Sequence, residues 1–271
     1  MRSRGPPQNG IAAAERRSFD AARNHPVTPR RGGHRILGAV DFLRGVRAEW
    51  PLLRIRLLRT RLGLWLVLVV VSSLWLERTA SAPDPLITIL RAGALAAVLC
   101  IGYLAGSSPD RQALVLPLLH PLTSGAVTVG RWCAATGGAA LVVLAIAAHA
   151  AWTTGAVPAS LGAALAGLAT AGAVGACALA LVWSGGNVLA GLLFVWLALV
   201  GGAPPETLVG ASHPGPTHLL LAALQEVAPA PWRYRAIATG DLGAAIHAAA
   251  WMLLGLMLAR WRAGRLAGRT R

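Results

Sequence analysis

The residues of this chain that are best placed to do chemistry lie in one polar stretch, residues 107–132, which reads SSPDRQALVLPLLHPLTSGAVTVGRW. Asp110 and Arg111 stand near its start, and His120 follows an apolar run. A lipid-modifying enzyme would need several carboxylates, or His residues with a metal, close together. Asp110 with His120 is all that this stretch provides. The simplest interpretation of Asp110 and Arg111 is a surface ion pair worth at most about 1 kcal/mol.

The second half of the stretch predicts a turn between two helices. Pro121 disfavours a helical backbone at the residue before it. Thr123 or Ser124 can accept hydrogen bonds from the free backbone N–H groups at the start of the next helix, which carries Arg131. A helix, a turn containing Pro121 and Leu122, and a second helix form a protrusion to which a partner protein can bind. This protrusion, residues 110–131, is called the knob.

The elements that position this knob are predicted to cross a membrane. From Trp132 to Pro205 the chain runs for 74 residues without Asp, Glu, Lys or Arg. A helix needs about 20 apolar residues to cross a bilayer core of roughly 30 Å, so this block has room for three crossings. Charged residues make up 13% of the chain, against about 25% in soluble domains. The expected fold class is therefore an all-α polytopic membrane protein.

Six transmembrane helices can be drawn along the chain. They cover residues 61–80, 86–106, 131–152, 158–183, 187–203 and 242–260. Trp132 and Trp152 bracket the third span at a separation that matches the aromatic belts of a bilayer. With six spans, one side collects 21 of the 25 arginines, while Arg78, Arg233 and Arg235 lie on the other and one arginine lies within a span. The positive-inside rule then places both termini in the cytoplasm.

The regions that flank the spans differ in composition. Residues 1–38 are rich in Arg, Pro and Gly and predict a disordered cytoplasmic N-terminus. Residues 39–60 predict an amphipathic helix on the membrane surface, with a plain extension of the first span as the alternative. Its apolar residues recur at helical spacing, at Val40, Leu43, Val46 and Trp50. Residues 61–260 form the transmembrane domain, and residues 261–271 form a basic cytoplasmic tail.

The segment between the last two spans, residues 201–241, has an unusual proline content. The prolines are Pro204, Pro205, Pro214, Pro216, Pro229 and Pro231. The apolar run Leu219 to Leu224 is too short to cross a bilayer. This segment predicts a partly re-entrant or surface-lying helix.

Three side chains within the predicted spans are candidates for a translocation path. Arg91 is a charge well inside an apolar run, and such a charge costs about 2.5–3.5 kcal/mol at mid-bilayer. It is expected to reach back to the membrane surface or to face a partner or an aqueous cavity. His149 and His247 are expected to be neutral and hydrogen-bonded; if both face a cavity, they can bind an anionic headgroup or relay protons. A secondary transporter driven by ion coupling, an alternative class, would depend on these three groups.

The predicted fourth span carries a stripe of small residues at every fourth position. The stripe consists of Ala163, Gly167, Ala171 and Gly175. Small residues allow helix backbones to approach closely within a membrane. The stripe therefore predicts tight packing inside the bundle or a seam between two copies of the chain.

Composition excludes several classes of protein. All 25 basic residues are Arg, and without Lys the chain cannot form the phosphate loop of an ATPase or a Schiff base. The three cysteines lie in apolar runs without metal-ligand spacing. We expect no cofactor, no metal and no nucleic-acid partner. If ATP drives this protein, another polypeptide binds it.

The 107–132 stretch resembles the permeases of the type-2 ABC transporter family. In that family a charged pair at the cytoplasmic end of span two precedes a Leu-Leu, small, Pro, Leu or Val, Ser or Thr sequence, and a basic residue opens span three. The matching positions are Asp110, Arg111, Leu118, Leu119, Pro121, Leu122, Thr123, Ser124 and Arg131. The chain departs from the pattern at Ala113 and Gly125, where the family often has Gly and Arg. The resemblance covers roughly residues 40–265.

The resemblance implies the membrane subunit of an ATP-driven exporter in the cell membrane, and the chain itself would not be an enzyme. The implied partners are a separate ABC ATPase subunit, a second permease subunit that is identical or different, and membrane lipids. The knob would be a coupling helix seated in a groove of the ATPase. Its contact residues would be Asp110, Arg111, His120, Pro121, Leu122, Thr123, Ser124 and Arg131. The uncharged spans favour an amphipathic or hydrophobic cargo.

Overall fold

The fold is all-helical. A computed structural model describes residues 61–80, 84–105, 123–201 and 226–268 continuously, together with single positions within 43–58 and 215–223. Every element in these parts of the chain is a helix or a helical turn. The predicted all-α class is confirmed for the part that the structure describes.

Seven α-helices and one 3-10 turn are described with continuous bounds. They are α1 (Leu62–Thr79), α2 (Pro85–Ala105), α3 (Ser124–Thr154), α4 (Val157–Gly185), α5 (Asn187–Leu199), α6 (Pro231–Tyr234), the 3-10 turn Arg235–Thr239 and α7 (Leu242–Gly268). Among the described residues, α1 to α4 and α7 are long and apolar enough to cross a membrane. The chain therefore has the helices of a multi-pass membrane protein.

The predicted fifth span, 187–203, corresponds to a shorter helix. The 13 residues of α5 extend about 20 Å at 1.5 Å per residue, less than the roughly 30 Å of a bilayer core. Six transmembrane helices are therefore not confirmed, and five candidates stand. Helix α3, which contains the predicted span 131–152, begins at Ser124, in agreement with the predicted cap at Thr123 or Ser124. Arg131 thus lies within the helix and does not open it.

The chain nevertheless passes from one end of the bundle to the other between α4 and α7. The end that holds the starts of α1, α3 and α5 is called the arginine-rich end. The described arginines near it are Arg47, Arg54, Arg61, Arg131, Arg260, Arg262 and Arg265. Helix α7 begins at the opposite end, because Ala238, just before it, lines the same cavity as Pro85 and Thr154. The N–H of Trp232 in α6 donates to the carbonyl of Gly201 beyond α5 at 3.1 Å, so α5 and α6 share this passage.

Glycines bring the helix backbones into direct contact. A Cβ on Gly93 of α2 would lie 3.2 Å from the carbonyl oxygen of Gly167 in α4. A Cβ on Gly255 of α7 would lie only 2.6 Å from the carbonyl carbon of Ala176 in α4. Because only Gly lacks a Cβ, both crossings depend on it. Helix α4 is the most enclosed of the long helices, and α1 and α7 are the least enclosed.

The two tryptophans predicted to mark the membrane surfaces behave differently. The indole N–H of Trp132 turns into the bundle and donates to the carbonyl of Gly172 in α4 at 2.8 Å. Trp152, at the other end of α3, is 87% exposed. Trp132 therefore joins α3 to α4, and only Trp152 has the exposure expected of a belt residue.

The 43–58 segment is helical at each of its described positions. Its packed side carries Glu49, which is 3% exposed, Leu53 and the partly buried Leu57, spaced four residues apart. Leu43 and Trp50, from the apolar face predicted by periodicity, are 63% and 51% exposed. The residues buried against the bundle thus include a carboxylate, whereas Leu43 and Trp50 of the predicted apolar face stay largely exposed. Placement of this segment on a membrane surface stays a prediction.

Candidate functional site

The arginine-rich end contains a buried ion pair between the 43–58 segment and α3. Nε of Arg131 donates to Oε1 of Glu49 at 3.2 Å, and each residue is only 3% exposed. The guanidinium carbon of Arg131 also lies 5.7 Å from the ring centroid of Trp183, near the end of α4. Three elements that are far apart in sequence therefore meet at one cation.

This pairing changes the part that Arg131 can play. A charged group is tolerated in a protein interior when it is paired and hydrogen-bonded, and Glu49 supplies both conditions. Buried in this way, Arg131 does not present its charge to a partner protein. Any contribution of Arg131 to coupling would therefore pass through Glu49 and the 43–58 segment.

Two adjacent glycines of α3 receive the 43–58 segment. A Cβ on Gly137 would lie 2.8 Å from the ring of Trp50. A Cβ on Gly138 would lie 2.7 Å from Sγ of Cys100 in α2 and 3.6 Å from the side chain of Leu53. Side chains larger than Gly at these positions would displace the segment, so the ion pair and this flat surface fix it together.

The second helix of the predicted knob corresponds to the start of α3. Asp110, Arg111, His120, Pro121 and Leu122 lie outside the described residues. Thr123 is the N-cap of α3, and its hydroxyl oxygen accepts a hydrogen bond from the N–H of Ala126 at 3.1 Å, which confirms the predicted cap. Ser124 is the first helical residue. Arg131 follows it by about two helical turns, so the ion pair lies at the far end of the knob.

The three candidates for a translocation path lie in separate surroundings. Arg91 is half-buried in α2, six residues after Pro85. His149 is partly buried near the end of α3, and His247 is partly buried in α7. Within the part of the chain that the structure describes, no hydrogen bond or ion pair joins any two of them. They do not form a single polar cluster by direct contact.

His247 contacts a buried tyrosine of α6. Its Nδ1 lies 3.2 Å from the hydroxyl oxygen of Tyr234, and the two ring centroids are 5.7 Å apart. Tyr234 is fully buried against Leu90 of α2 and Ala166 of α4. The Tyr234 hydroxyl can donate to Nδ1 of a neutral His247.

The segment before α6 is fastened to α7 and to α6 itself. The indole N–H of Trp251 donates to the carbonyl of Val227 at 2.7 Å. Arg233 donates to Oε2 of Glu226 at 3.0 Å and also to the Glu226 carbonyl. Trp251 lies nine residues into α7, about 14 Å from its start. The carbonyl of Val227 thus lies beside α7 about two and a half turns from its start, and the choice between a re-entrant and a surface-lying segment stays a prediction.

The stripe of small residues on α4 is enclosed within the chain. Its members Ala163, Gly167, Ala171 and Gly175 are all buried. A Cβ on Gly167 would lie 2.9 Å from Ile89 of α2 and 3.0 Å from Val143 of α3, and one on Gly175 would lie 3.6 Å from Ala97 of α2. The stripe therefore packs helices of the same chain together.

An apolar cavity of about 330 Å³ opens at the end opposite the arginine-rich end. It lies between the start of α2, the end of α3, the start of α4 and the 3-10 turn. Its polar groups are the hydroxyls of Thr154, Ser160 and Thr239. Each of these hydroxyls donates to a carbonyl of its own helix or turn. The cavity therefore suits an apolar group more than a charged one.

The described residues contain no grouping of His, Cys, Asp and Glu that could hold a metal ion. The three cysteines are free thiols, and Cys100 and Cys177 are buried. The arrangement is thus built around one buried ion pair and a set of close helix contacts, with no assembled acid, base and nucleophile in the described part of the chain.

Sequence reasoning missed Glu49 as the partner of Arg131 in the buried ion pair. Its partner Arg131 is 82 positions away, so no local spacing relates the two. The available signal was an acidic residue standing between Arg47 and Trp50 in a strongly basic segment. Tyr234 was also not connected to His247, although only 13 positions separate them.

Comparison with known proteins gives no assignment for this chain. No protein-family model matches it, and the searches of curated proteins and of solved structures found no match. Function is therefore argued from the residues and their geometry.

Proposed function

We propose that this chain is the membrane-spanning permease subunit of an ATP-driven ABC exporter in the cell membrane. Five long apolar helices among the described residues support the membrane location. The chain contains no Lys, so the phosphate loop that binds ATP belongs to another polypeptide. The proposed partners are an ABC ATPase subunit, a second permease subunit and membrane lipids.

The proposed topology has six crossings and both termini in the cytoplasm. The arginine-rich end faces the cytoplasm by the positive-inside rule. The start of α7 beside Pro85 and Thr154 supports an even number of crossings, because the chain changes ends between α4 and α7. In this proposal α5 and the re-entrant segment at α6 together make the crossing for which α5 alone is too short.

The observation that carries the proposal is the buried ion pair between Glu49 and Arg131. The predicted turn of the knob ends at Thr123, and α3 continues from there through Arg131. A force that the ATPase exerts on the knob would move the first turns of α3. Because Arg131 is paired with Glu49 and lies against Trp183, the same movement would reach the 43–58 segment and the end of α4.

The proposed cargo is amphipathic or hydrophobic. The long spans carry almost no charged groups, and the cavity at the far end of α3 and α4 is lined mainly by apolar side chains. An apolar group held in that cavity would contact mainly apolar side chains.

Replacing Pro121 and Leu122 together with Ala tests the coupling role. The chain is purified with its ATPase subunit and reconstituted in lipid vesicles, and ATP hydrolysis is measured with and without amphipathic compounds. Stimulation by these compounds is expected to be lost, while membrane insertion is unchanged. Pro158→Ala with Leu161→Ala is the matched control, since both residues are exposed at the opposite end.

Two results would contradict the proposal. Unchanged stimulation in the Pro121 and Leu122 variant would refute coupling through the knob. Purification of an active protein with no nucleotide-hydrolysing subunit would refute the exporter itself, and would favour a lipid-modifying enzyme or a secondary transporter.

A further inference from the structure

One face of α2 is left incompletely covered by the rest of the chain. From Ile89 to the end of α2 at Ala105, every residue is buried apart from a short set. The set consists of Arg91, Leu95, Leu99, Gly102 and Tyr103. The intervals of four, four and three residues from Arg91 to Gly102 place these positions on one side of the helix. This face of α2, called the α2 stripe, carries one charge near the start of the helix. Its apolar groups follow toward the end of the helix.

Arg91 has no counter-charge within the part of the chain that the structure describes. Of the described acidic residues at the same end, Asp84 accepts hydrogen bonds from the first N–H groups of α2, and Glu226 is paired with Arg233. Asp241 accepts from the N–H of Gly243, and Glu77 forms no ion pair. A guanidinium in an apolar setting without a partner is unfavourable. An anion from outside the chain would remove much of that cost.

The position of Arg91 sets the depth of such an anion. Arg91 lies six residues, or about 9 Å, from the start of α2. Side chains on a helix lean toward its N-terminus, so the guanidinium extends from Arg91 toward the level of Pro85. That level corresponds to the headgroup region if α2 spans a bilayer. A phospholipid of that leaflet presents its phosphate at this depth.

The part of the α2 stripe between Arg91 and the end of the helix has room for an acyl chain. Leu95 and Leu99 are partly buried apolar side chains, and a Cβ on Gly102 would meet no atom of the described residues within 4 Å. From Arg91 to Gly102 the stripe runs 11 residues, or about 16 Å, along the helix. Charge and apolar surface are thus arranged in the order of a phospholipid headgroup and tail.

We propose that Arg91 and this stripe form a binding site for an acidic phospholipid. The guanidinium holds the phosphate, and one acyl chain lies along Leu95, Leu99 and Gly102. This site is independent of ATP-driven export, because it requires only that α2 is embedded in a bilayer. Arg suits the ligand because its planar fork can donate two hydrogen bonds to one phosphate.

The test is a titration of the purified, delipidated full chain in detergent, together with any subunit that co-purifies, followed by native mass spectrometry. Phosphatidylglycerol and phosphatidylcholine are the probes. Arg91→Gln is expected to weaken phosphatidylglycerol binding about tenfold, equivalent to about 1.4 kcal/mol. Arg91→Lys should retain most of the affinity. Arg78→Gln removes an exposed arginine at the same end and should leave binding unchanged.

A second variant tests the acyl-chain part of the site without changing any charge. Gly102→Leu adds a side chain to the open position and should weaken phosphatidylglycerol binding severalfold. It should also fold, because Leu is a better helix former than Gly. This variant and Arg91→Lys keep the proposal testable if Arg91→Gln does not fold. Inorganic phosphate at the same concentration should not displace the lipid.

Four results would overturn the proposal. Unchanged phosphatidylglycerol binding by Arg91→Gln would show that Arg91 does not contact the headgroup. An equal loss of binding in Arg78→Gln would indicate general adsorption of the lipid to positive charge. Full displacement by inorganic phosphate, or unchanged binding by Gly102→Leu, indicates an anion site with no lipid tail. Dissociation of an oligomer by Arg91→Gln without any change in lipid binding identifies a second copy of the chain as the occupant.

Discussion

Removing one member of the Glu49 and Arg131 pair is expected to destabilise the protein far more than replacing both. Arg131→Met leaves the Glu49 carboxylate buried, and Glu49→Gln leaves the Arg131 guanidinium buried, where each residue is 3% exposed. Breaking a buried ion pair in this way costs about 3–5 kcal/mol. The double variant, with Glu49→Leu and Arg131→Met, places two apolar side chains in contact. Its stability should lie close to that of the wild type, since such replacements are often neutral or stabilising by about 1–4 kcal/mol.

Thermal unfolding of the purified protein in detergent, followed by tryptophan fluorescence, measures these differences. For a chain of this size, each kcal/mol shifts the Tm by about 2–4 °C, so the single variants should lose roughly 6–20 °C. Arg54→Met is the matched control, because Arg54 is an exposed arginine of the same segment. Its effect should stay within about 0.5 kcal/mol.

The double variant also distinguishes a structural role of this ion pair from a role in coupling. Losses in the double variant equal to the sum of the single losses would refute the reasoning, because the two side chains would then contribute independently. If the double variant regains its Tm but the proposed ATPase subunit stays unresponsive to amphipathic compounds, the charge pair is needed for coupling. If both recover, the pair only holds the 43–58 segment in place.

Two further predictions concern contacts of α4 with its neighbours. Gly255→Ala should lower the free energy of unfolding by at least about 1–3 kcal/mol through overpacking. Gly264→Ala, at a position open to solvent or lipid, is the control and should be neutral or stabilising by up to about 1 kcal/mol. Equal Tm values for the two variants would contradict the backbone contact. Trp132→Phe removes the hydrogen bond to the α4 carbonyl and should cost about 1 kcal/mol, measured against Trp152→Phe at an exposed position. A larger effect at Trp152 would show that the indole of Trp132 contributes little.

Hydropathy located most of the long helices closely. The predicted spans 61–80 and 86–106 correspond to helices that differ from them by one residue at each end. Apolar runs of this length end at polar or turn-forming residues, so the local sequence determines where these helices begin and end. The same reasoning led to the confirmed cap at Thr123, since the hydroxyl needs only the next three residues to act.

Features that depend on distant residues could not be read in this way. The third span was drawn from residue 131, within a helix whose cap was expected at Thr123 or Ser124. The burial of Arg131 seven residues into that helix was not expected, because the carboxylate that neutralises its charge, Glu49, lies 82 positions away. The burial of Glu49 in the 43–58 segment could not be read from the sequence for the same reason. A carboxylate counts as polar in any periodicity analysis, whereas here its partner makes it part of the interior.

The contact between Gly255 and Ala176 restricts how the bundle can move. Where two backbones touch with no layer of side chains between them, no flexible groups can rearrange to let one helix slide along the other. Helices α4 and α7 would therefore move together as one rigid unit. A displacement of this unit at the arginine-rich end would be transmitted almost fully to the opposite end. Any hinge in the molecule has to be sought elsewhere, and α1, which is the least enclosed helix, is the first place to look.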